Sequence, residues 1–201
     1  MIRILLADDQ SLVRGALAAL LDSEDDLEIV AETGSGEDCA ELVRKHNADV
    51  AVLDIEMPGK DGIEATREIK ETGLACRCLI VTTFDRPGFL RQALEAGASG
   101  YVVKDTPAEQ LAESVRRVHA GARVVDSALA TEALYSPPSP LTPREADVCR
   151  EALTGKNSAA IAKALHLSEG TVRNHVSSAI AKTQANNRYE AARIARDRGW
   201  L

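Results

Sequence analysis

The sequence predicts an α/β fold, a doubly wound five-stranded parallel sheet, followed by a small all-α domain. Three observations carry this. Over the first 120 residues, short apolar runs alternate with helical stretches, the spacing of βαβ units with right-handed crossovers. The run Val50-Ala51-Val52-Leu53 is apolar on both faces, as a strand covered from both sides must be. Beyond residue 140 the strand signals stop and helical ones continue.

Strands are expected near residues 2–7, 27–32, 49–54, 77–83 and 99–103, and helices near 10–22, 36–46, 62–71, 86–97 and 107–120. Thr106-Pro107-Ala108-Glu109 has the capping-box pattern, with Pro at the first helical position. Ser35 opens the second helix, with Glu37 and Asp38 in a first turn whose dipole favours acids, and Gly121 closes the fifth. Residues 121–140 read as a linker: a short helix over 123–135, then Ser136-Pro137-Pro138-Ser139-Pro140, which continues neither a helix nor a central strand. Such a stretch is extended and semi-rigid. The predicted domains are 1–120 and 141–201. In the second, Thr142-Pro143-Arg144-Glu145 is another capping box, opening a helix that runs to about Leu153 and ends at Gly155. Helices follow near 158–164, from Glu169 after a Ser168 cap to about Lys182, and from an Asn187 cap to Gly199.

A hydrophobic content of 45% supports a core, and 3% aromatics makes that core aliphatic. No run approaches the roughly eighteen apolar residues that span a bilayer, and no basic segment with an apolar core opens the sequence. A cytoplasmic protein with no membrane partner is expected. Cys39, Cys76, Cys78 and Cys149 form no CxxC pattern, so free thiols are expected and a zinc site is not. The net charge of −7 is uneven: residues 1–120 hold 13 basic and 23 acidic residues, whereas 121–201 hold 11 and 8. An acidic module joined to one that meets a polyanion would look like this.

Ligands of open α/β sheets bind at the carboxyl ends of the strands. Asp54 ends the third strand, and Asp8-Asp9 end the first. If those strands are neighbours, three carboxylates meet at one sheet edge. Their mutual repulsion is resolved by a hard divalent cation, and Mg²⁺ accepts oxygen ligands. A carboxylate beside such a metal can act as a nucleophile and form an acyl phosphate. The plainer reading is that Asp8 and Asp9 cap a helix and Asp54 starts a turn. Two acidic strand ends together with Lys104 and Thr82 weigh against it.

Taken together, these residues resemble a bacterial two-component response regulator of the LuxR/FixJ (NarL) type, over nearly the whole chain. The N-terminal motifs are Asp8-Asp9, Asp54 with Met57-Pro58-Gly59 and Gly62, Thr82, and Gly97 through Lys104. The C-terminal ones run from Leu141-Thr142-Pro143-Arg144-Glu145 through Ile161-Ala162, Leu165, Ser168, Thr171-Val172 and His175 to Asn187-Arg188 and Glu190-Ala191. The resemblance implies a CheY-like (flavodoxin-like) receiver domain and a helix-turn-helix domain. It makes Asp54 the phosphoryl acceptor. Asp9, Asp54 and the backbone carbonyl of Glu56 would hold Mg²⁺ directly, and Asp8 would act through a water. Lys104 and Thr82 would contact the acyl phosphate. Tyr101 resembles an aromatic switch that turns inward, with an ordinary half-buried strand aromatic as the alternative. Asp105 stands after Lys104 where many receivers carry Pro.

The resemblance further implies a sensor histidine kinase as phosphoryl donor, double-stranded DNA as target, homodimerisation on activation, and RNA polymerase as a candidate partner. The second helix of the helix-turn-helix would enter the major groove. Arg173, Asn174 and Ser177 would read bases, while Lys156, Asn157, Ser158, Thr171, Lys182 and Arg188 would meet phosphates. Val172, Val176 and Ile180 are assigned to the core, and His175 to packing. Ser177 stands where relatives often carry Lys, which weakens the grip on the DNA backbone. In the first helix, Leu12, Ala16 and Leu20 are expected to face the sheet, leaving Val13, Leu17 and Leu21 as a dimer surface. A rival from another class is a phosphohydrolase of the haloacid-dehalogenase type. It would normally keep an Asp two residues after the nucleophile, where this chain has Glu56. A receiver serving only as a protein scaffold is a third reading. Neither fits the full acidic, Thr and Lys set as well, so no multiple-turnover enzyme is expected.

Overall fold

The computed structural model describes residues 1–83, 87–135 and 138–201. The expected helix start at residue 86 and the Ser136-Pro137 end of the Pro-rich stretch lie outside them. The chain divides into two compact units, one covering Met1–Asp85 and Leu90–Thr131, the other Arg86–Phe89 and Glu132–Leu201.

Through the described residues up to 135, strands and helices alternate: β1 Ile2–Ala7, α1 Ser11–Asp22, β2 Leu27–Thr33, a 3-10 turn Gly36–Asp38 leading into α2 Cys39–His46, β3 Val50–Leu53, α3 Gly62–Glu71, β4 Arg77–Thr82, α4 Pro87–Glu95, β5 Gly100–Val103, α5 Ala108–His119, β6 Val124–Val125 and α6 Ser127–Tyr135. All strand pairs are parallel, in the order β2-β1-β3-β4-β5-β6. On one face of the sheet Ile4, Leu6, Val50, Val52, Leu79 and Val81 pack with Ala18 and Leu21 of α1 and Leu111, Val115 and Val118 of α5. Leu5, Ala51, Leu53 and Ile80 alternate with these along the strands and are equally buried, so the other face is covered too. The order places β1 beside β3, which brings Asp8 and Asp54 to the same sheet edge.

The sheet has six strands where five are expected. The sixth, two residues long, carries no periodicity to read. It fits because Gly100 of β5 has no side chain: a Cβ there would lie 3.0 Å from Val124 O and 2.7 Å from Leu79 Cδ1. The expected linker is thus ordered over much of its length, as β6 and α6.

Two local expectations change. Helix α5 begins one residue late, with Pro107 itself at the N-cap and no side-chain cap, while Thr106 N donates to Val103 O instead. Helix α1 is rotated from its expected phase. Leu21 is 1% exposed, and Leu17 packs against the same core. Leu12 at 86% and Leu20 at 45% point outward, and Ala16 is exposed with them. Of the expected dimer surface, Leu21 is therefore a core residue, and Leu17 and Val13 are half-buried, so the exposed side of α1 is the one that carries Leu12, Ala16 and Leu20.

The second unit holds α7 Pro143–Leu153, α8 Ser158–Ala164, α9 Glu169–Thr183 and α10 Arg188–Asp197. Side-chain caps start each one: Thr142 with a complete capping box, then Asn157, Ser168 and Asn187. Val148, Cys149, Ala152, Ile161, Ala162, Val172, Ala179 and Ala192 form the core, with Val176 packed against it. Ile180 is only half-buried; the inward line of α9 runs through Val172, Val176, Ala179 and Thr183. His166, between α8 and α9, is left-handed at φ 54°. All four cysteines are free and buried.

Candidate functional site

The acidic edge is built by strand ends and a close-packed loop. Helix α1 starts after Gln10, so Asp8 and Asp9 lie before its cap. Asp8 Oδ1 accepts a hydrogen bond from Gln10 N at 2.9 Å, closing the turn out of β1. Asp54 Oδ1 accepts from Ile55 N at 2.7 Å. A Cβ on Gly62 would collide with Asp54 O, so only glycine lets α3 begin this close to β3. Asp8 is fully buried, Asp54 is 4% exposed, and Asp9 is exposed.

One oxygen from each of Asp8, Asp9 and Asp54 lies within 4.8 Å of the others. Lys104 closes the group: its Nζ is 2.6 Å from Asp8 Oδ2 and 2.8 Å from Asp54 Oδ2. Its backbone N donates to Thr82 O at 2.8 Å, which ties the end of β5 to the end of β4. Burial pushes the Asp54 carboxyl up, and Asp8 adds to this, while the hydrogen bond and charge of Lys104 work against it; the net direction is upward. Burial lowers the Lys104 ammonium, but its two carboxylates outweigh that and hold it above its usual value. Asp8 Oδ2 has Lys104 as an ionic neighbour but receives no well-aligned hydrogen bond. An under-satisfied buried carboxylate oxygen beside two further acids fits a divalent metal of the Mg²⁺ type.

The other expected residues fall around this group. Thr82 ends β4 and is fully buried. Tyr101, opposite Ile80 in the sheet, is 1% exposed, so it is not the half-buried aromatic of the plainer reading. The Glu56 side chain faces solvent in the loop after β3, which leaves its backbone carbonyl as the group the resemblance invokes. Asp105 is exposed, and the peptide before it is trans. Sequence reasoning missed Arg14, whose Nη1 donates to Asp8 O at 2.5 Å and whose Nε lies 3.5 Å from Glu32 Oε2.

In the second unit Arg173 and Asn174 lie exposed on the N-terminal half of α9, and Ser177 lies exposed just past its middle. The expected phosphate contacts are more committed. Lys156 Nζ pairs with Glu151 at 2.5 Å, and Lys182 Nζ with Glu145 at 2.6 Å. Asn157 Oδ1 caps α8, and Thr171 Oγ1 hydrogen-bonds Ser168 Oγ at 2.8 Å. Ser158 begins α8 and is half-buried. Arg188 donates to Tyr189 Oη and lies over its ring.

Residues 4–116 match the response regulator receiver domain, and residues 139–195 match the bacterial regulatory proteins of the luxR family. The chain is 44% identical over 201 residues to the transcriptional regulatory protein DesR of Bacillus subtilis (strain 168), covering all of both. It is 39% identical to the response regulator RamR of Streptomyces coelicolor, over 100% of this chain and 98% of that protein. The crystal structure of the response regulator ChrA of a heme-sensing two-component system is similar, with 34% identity, a TM-score of 0.59, and 100% and 98% coverage. The structure of the two-component response regulator RcsB in complex with DNA shares the fold at 22% identity and a TM-score of 0.65. This chain belongs to the LuxR family of DNA-binding transcriptional response regulators.

Proposed function

We propose that a sensor histidine kinase phosphorylates Asp54 and that this promotes dimerisation and promoter binding. The observation that carries the reading is Lys104 held between Asp8 and Asp54 in a buried acidic group whose charge is only partly neutralised. Asp8, Asp9 and Asp54, with the Glu56 carbonyl, would hold Mg²⁺, which when bound neutralises charge on the transferring phosphoryl oxygens. In the transfer, an Asp54 carboxylate oxygen forms a bond to phosphorus as the bond to the kinase's histidine nitrogen breaks, and the imidazole leaves. Lys104 then meets a phosphoryl oxygen and Thr82 donates its hydroxyl to another, beside a Tyr101 that is already turned inward. These movements bias a two-state receiver toward its active form.

The active form pairs through the exposed α1 stripe Leu12, Ala16 and Leu20, which replaces the surface expected from sequence. Pairing sets two α9 helices into successive major grooves, about one turn apart. Arg173, Asn174 and Ser177 read base edges there. The chain works in the cytoplasm beside DNA, with RNA polymerase as a further partner, and turns over no substrate of its own. No helix among the described residues is long and apolar enough to cross a membrane.

The test is phosphorylation with acetyl phosphate and Mg²⁺, read on a phosphate-affinity gel and by light scattering. The wild-type chain becomes labelled and dimeric, and Asp54→Ala does neither. Labelling of Asp54→Ala would reject the acceptor. Multiple-turnover hydrolysis of phosphate esters would favour the phosphohydrolase rival.

A further inference from the structure

Glu145 is a helix cap by sequence, but its carboxylate does more than cap. It is 4% exposed. Oε2 accepts from Thr142 N at 2.7 Å, the return half of the capping box. The same oxygen takes Lys182 Nζ at 2.6 Å, and Oε1 takes Ser178 Oγ at 2.6 Å. Ser178 and Lys182 are one turn apart on α9, so both donors come from one face of the helix that carries Arg173, Asn174 and Ser177. The carboxylate thus fixes α9 against α7 both along its axis and about it. A residue that caps one helix is here the anchor of another.

We propose that Glu145 is a positioning residue for DNA readout and that Lys182 serves it, rather than binding a DNA phosphate. It rests on the major-groove reading above. Lys182 is the wrong lysine for a backbone contact, because its charge is already matched by a buried partner that would be stranded if it left. Base readers need placement within about half an ångström, and that placement comes from the residues supporting them. Releasing this clip lets α9 roll, which harms readout of bases more than attraction to phosphates.

The experiment selects a duplex from random-sequence DNA with the wild-type chain, then measures binding to it and to a scrambled duplex over a range of salt. Lys182→Met and Glu145→Gln each weaken the selected duplex about tenfold. Both leave the scrambled duplex within about twofold and the salt slope unchanged, and Lys182→Arg restores the loss. The opposite result overturns the proposal: Lys182→Met weakens both duplexes alike and lowers the slope by about one, as loss of a phosphate contact would, while Glu145→Gln is harmless. A general loss of folded protein moves both duplexes together and also counts against it. If the wild-type chain selects no sequence, the DNA reading itself fails. Denaturant unfolding followed by Trp200 fluorescence then decides the clip: single losses that overlap in the double variant support it, and additive losses reject it.

Discussion

Lys104 and Lys182 each meet buried carboxylate, and the two sites differ in how the acids are satisfied. At Lys104 one ammonium serves two buried acids with a third beside them, and Asp8 Oδ2 is left without a proper hydrogen bond. Asp54 is driven toward its protonated form, burial being the largest cause. At Glu145 burial also pushes the carboxyl upward, but Lys182, Ser178 and the Thr142 amide outweigh it and bring it down to about 2. The same ion pair is therefore a strained receptor for added positive charge in one unit and a finished joint in the other. What separates them is how many donors each acid has, together with the deeper burial of Asp54.

The largest expected effect breaks the finished joint. Glu145→Gln leaves Lys182 without a counter-charge and should cost about 2 kcal/mol, discounted because the lysine is one-third exposed. Trp200, the single Trp of the chain, reports unfolding of that unit. The pH dependence sharpens the point. The folded carboxyl titrates at about 2 against an ordinary 4.5. This depressed group stabilises fully above its unfolded value, and that stability is lost as pH falls from about 4.5 toward about 2. Glu145→Gln flattens this window, and a variant that keeps the full acid dependence would remove Glu145 as its source.

The receiver pocket should respond with the opposite signs. Added Mg²⁺ stabilises the first unit by about 1.4 kcal/mol at tenfold excess over its Kd, and Asp54→Asn abolishes most of that gain. The same substitution without metal removes one of the crowded acids and raises stability by about 1 kcal/mol. Its sign follows from the raised Asp54 carboxyl. A group shifted upward favours the fold at low pH and loses that contribution as pH rises through the folded value, so at neutral pH its charged form is a liability. Thermal melts with and without MgCl₂ check both. A drop in stability for metal-free Asp54→Asn would mean that the pocket is as finished as the Glu145 site.

Much of this was legible in the residues. Strand-end acids announce themselves because an apolar run has nowhere else to place a carboxylate, and Asp8, Asp9, Asp54 and Lys104 meet where the strand order puts them. The phase of α1 was not legible. Leu12, Val13, Ala16, Leu17, Leu20 and Leu21 are apolar over about half the circumference, so periodicity allows either edge of the stripe to face the sheet. Only packing against β1, β2 and α5 selects Ala18 and Leu21. Strand β6 is too short to show a period, and Arg14 reaches a backbone carbonyl that no side-chain pattern reveals. The second role of Glu145 depends on partners 33 and 37 residues away, beyond any local motif.

The smallest expected effect separates two copies of one local signal. Thr106-Pro107-Ala108-Glu109 and Thr142-Pro143-Arg144-Glu145 are the same capping pattern. In the second, Thr142 Oγ1 accepts from Glu145 N at 3.3 Å and Glu145 returns the bond. In the first, the backbone N of Thr106 is spent in a turn against Val103 O, directly after Lys104. That turn leaves Pro107 in the cap position, with ψ 144° and no side chain to accept. The demand for Lys104 to reach the acidic pocket has overridden the local preference. Thr142→Ala should therefore cost about 1 kcal/mol in the unfolding of the second unit. Thr106→Ala should cost at most a few tenths in the first, within the usual range for surface changes. Equal losses would show that Thr106 caps α5 after all, and that the turn behind Lys104 is not what displaced the helix start.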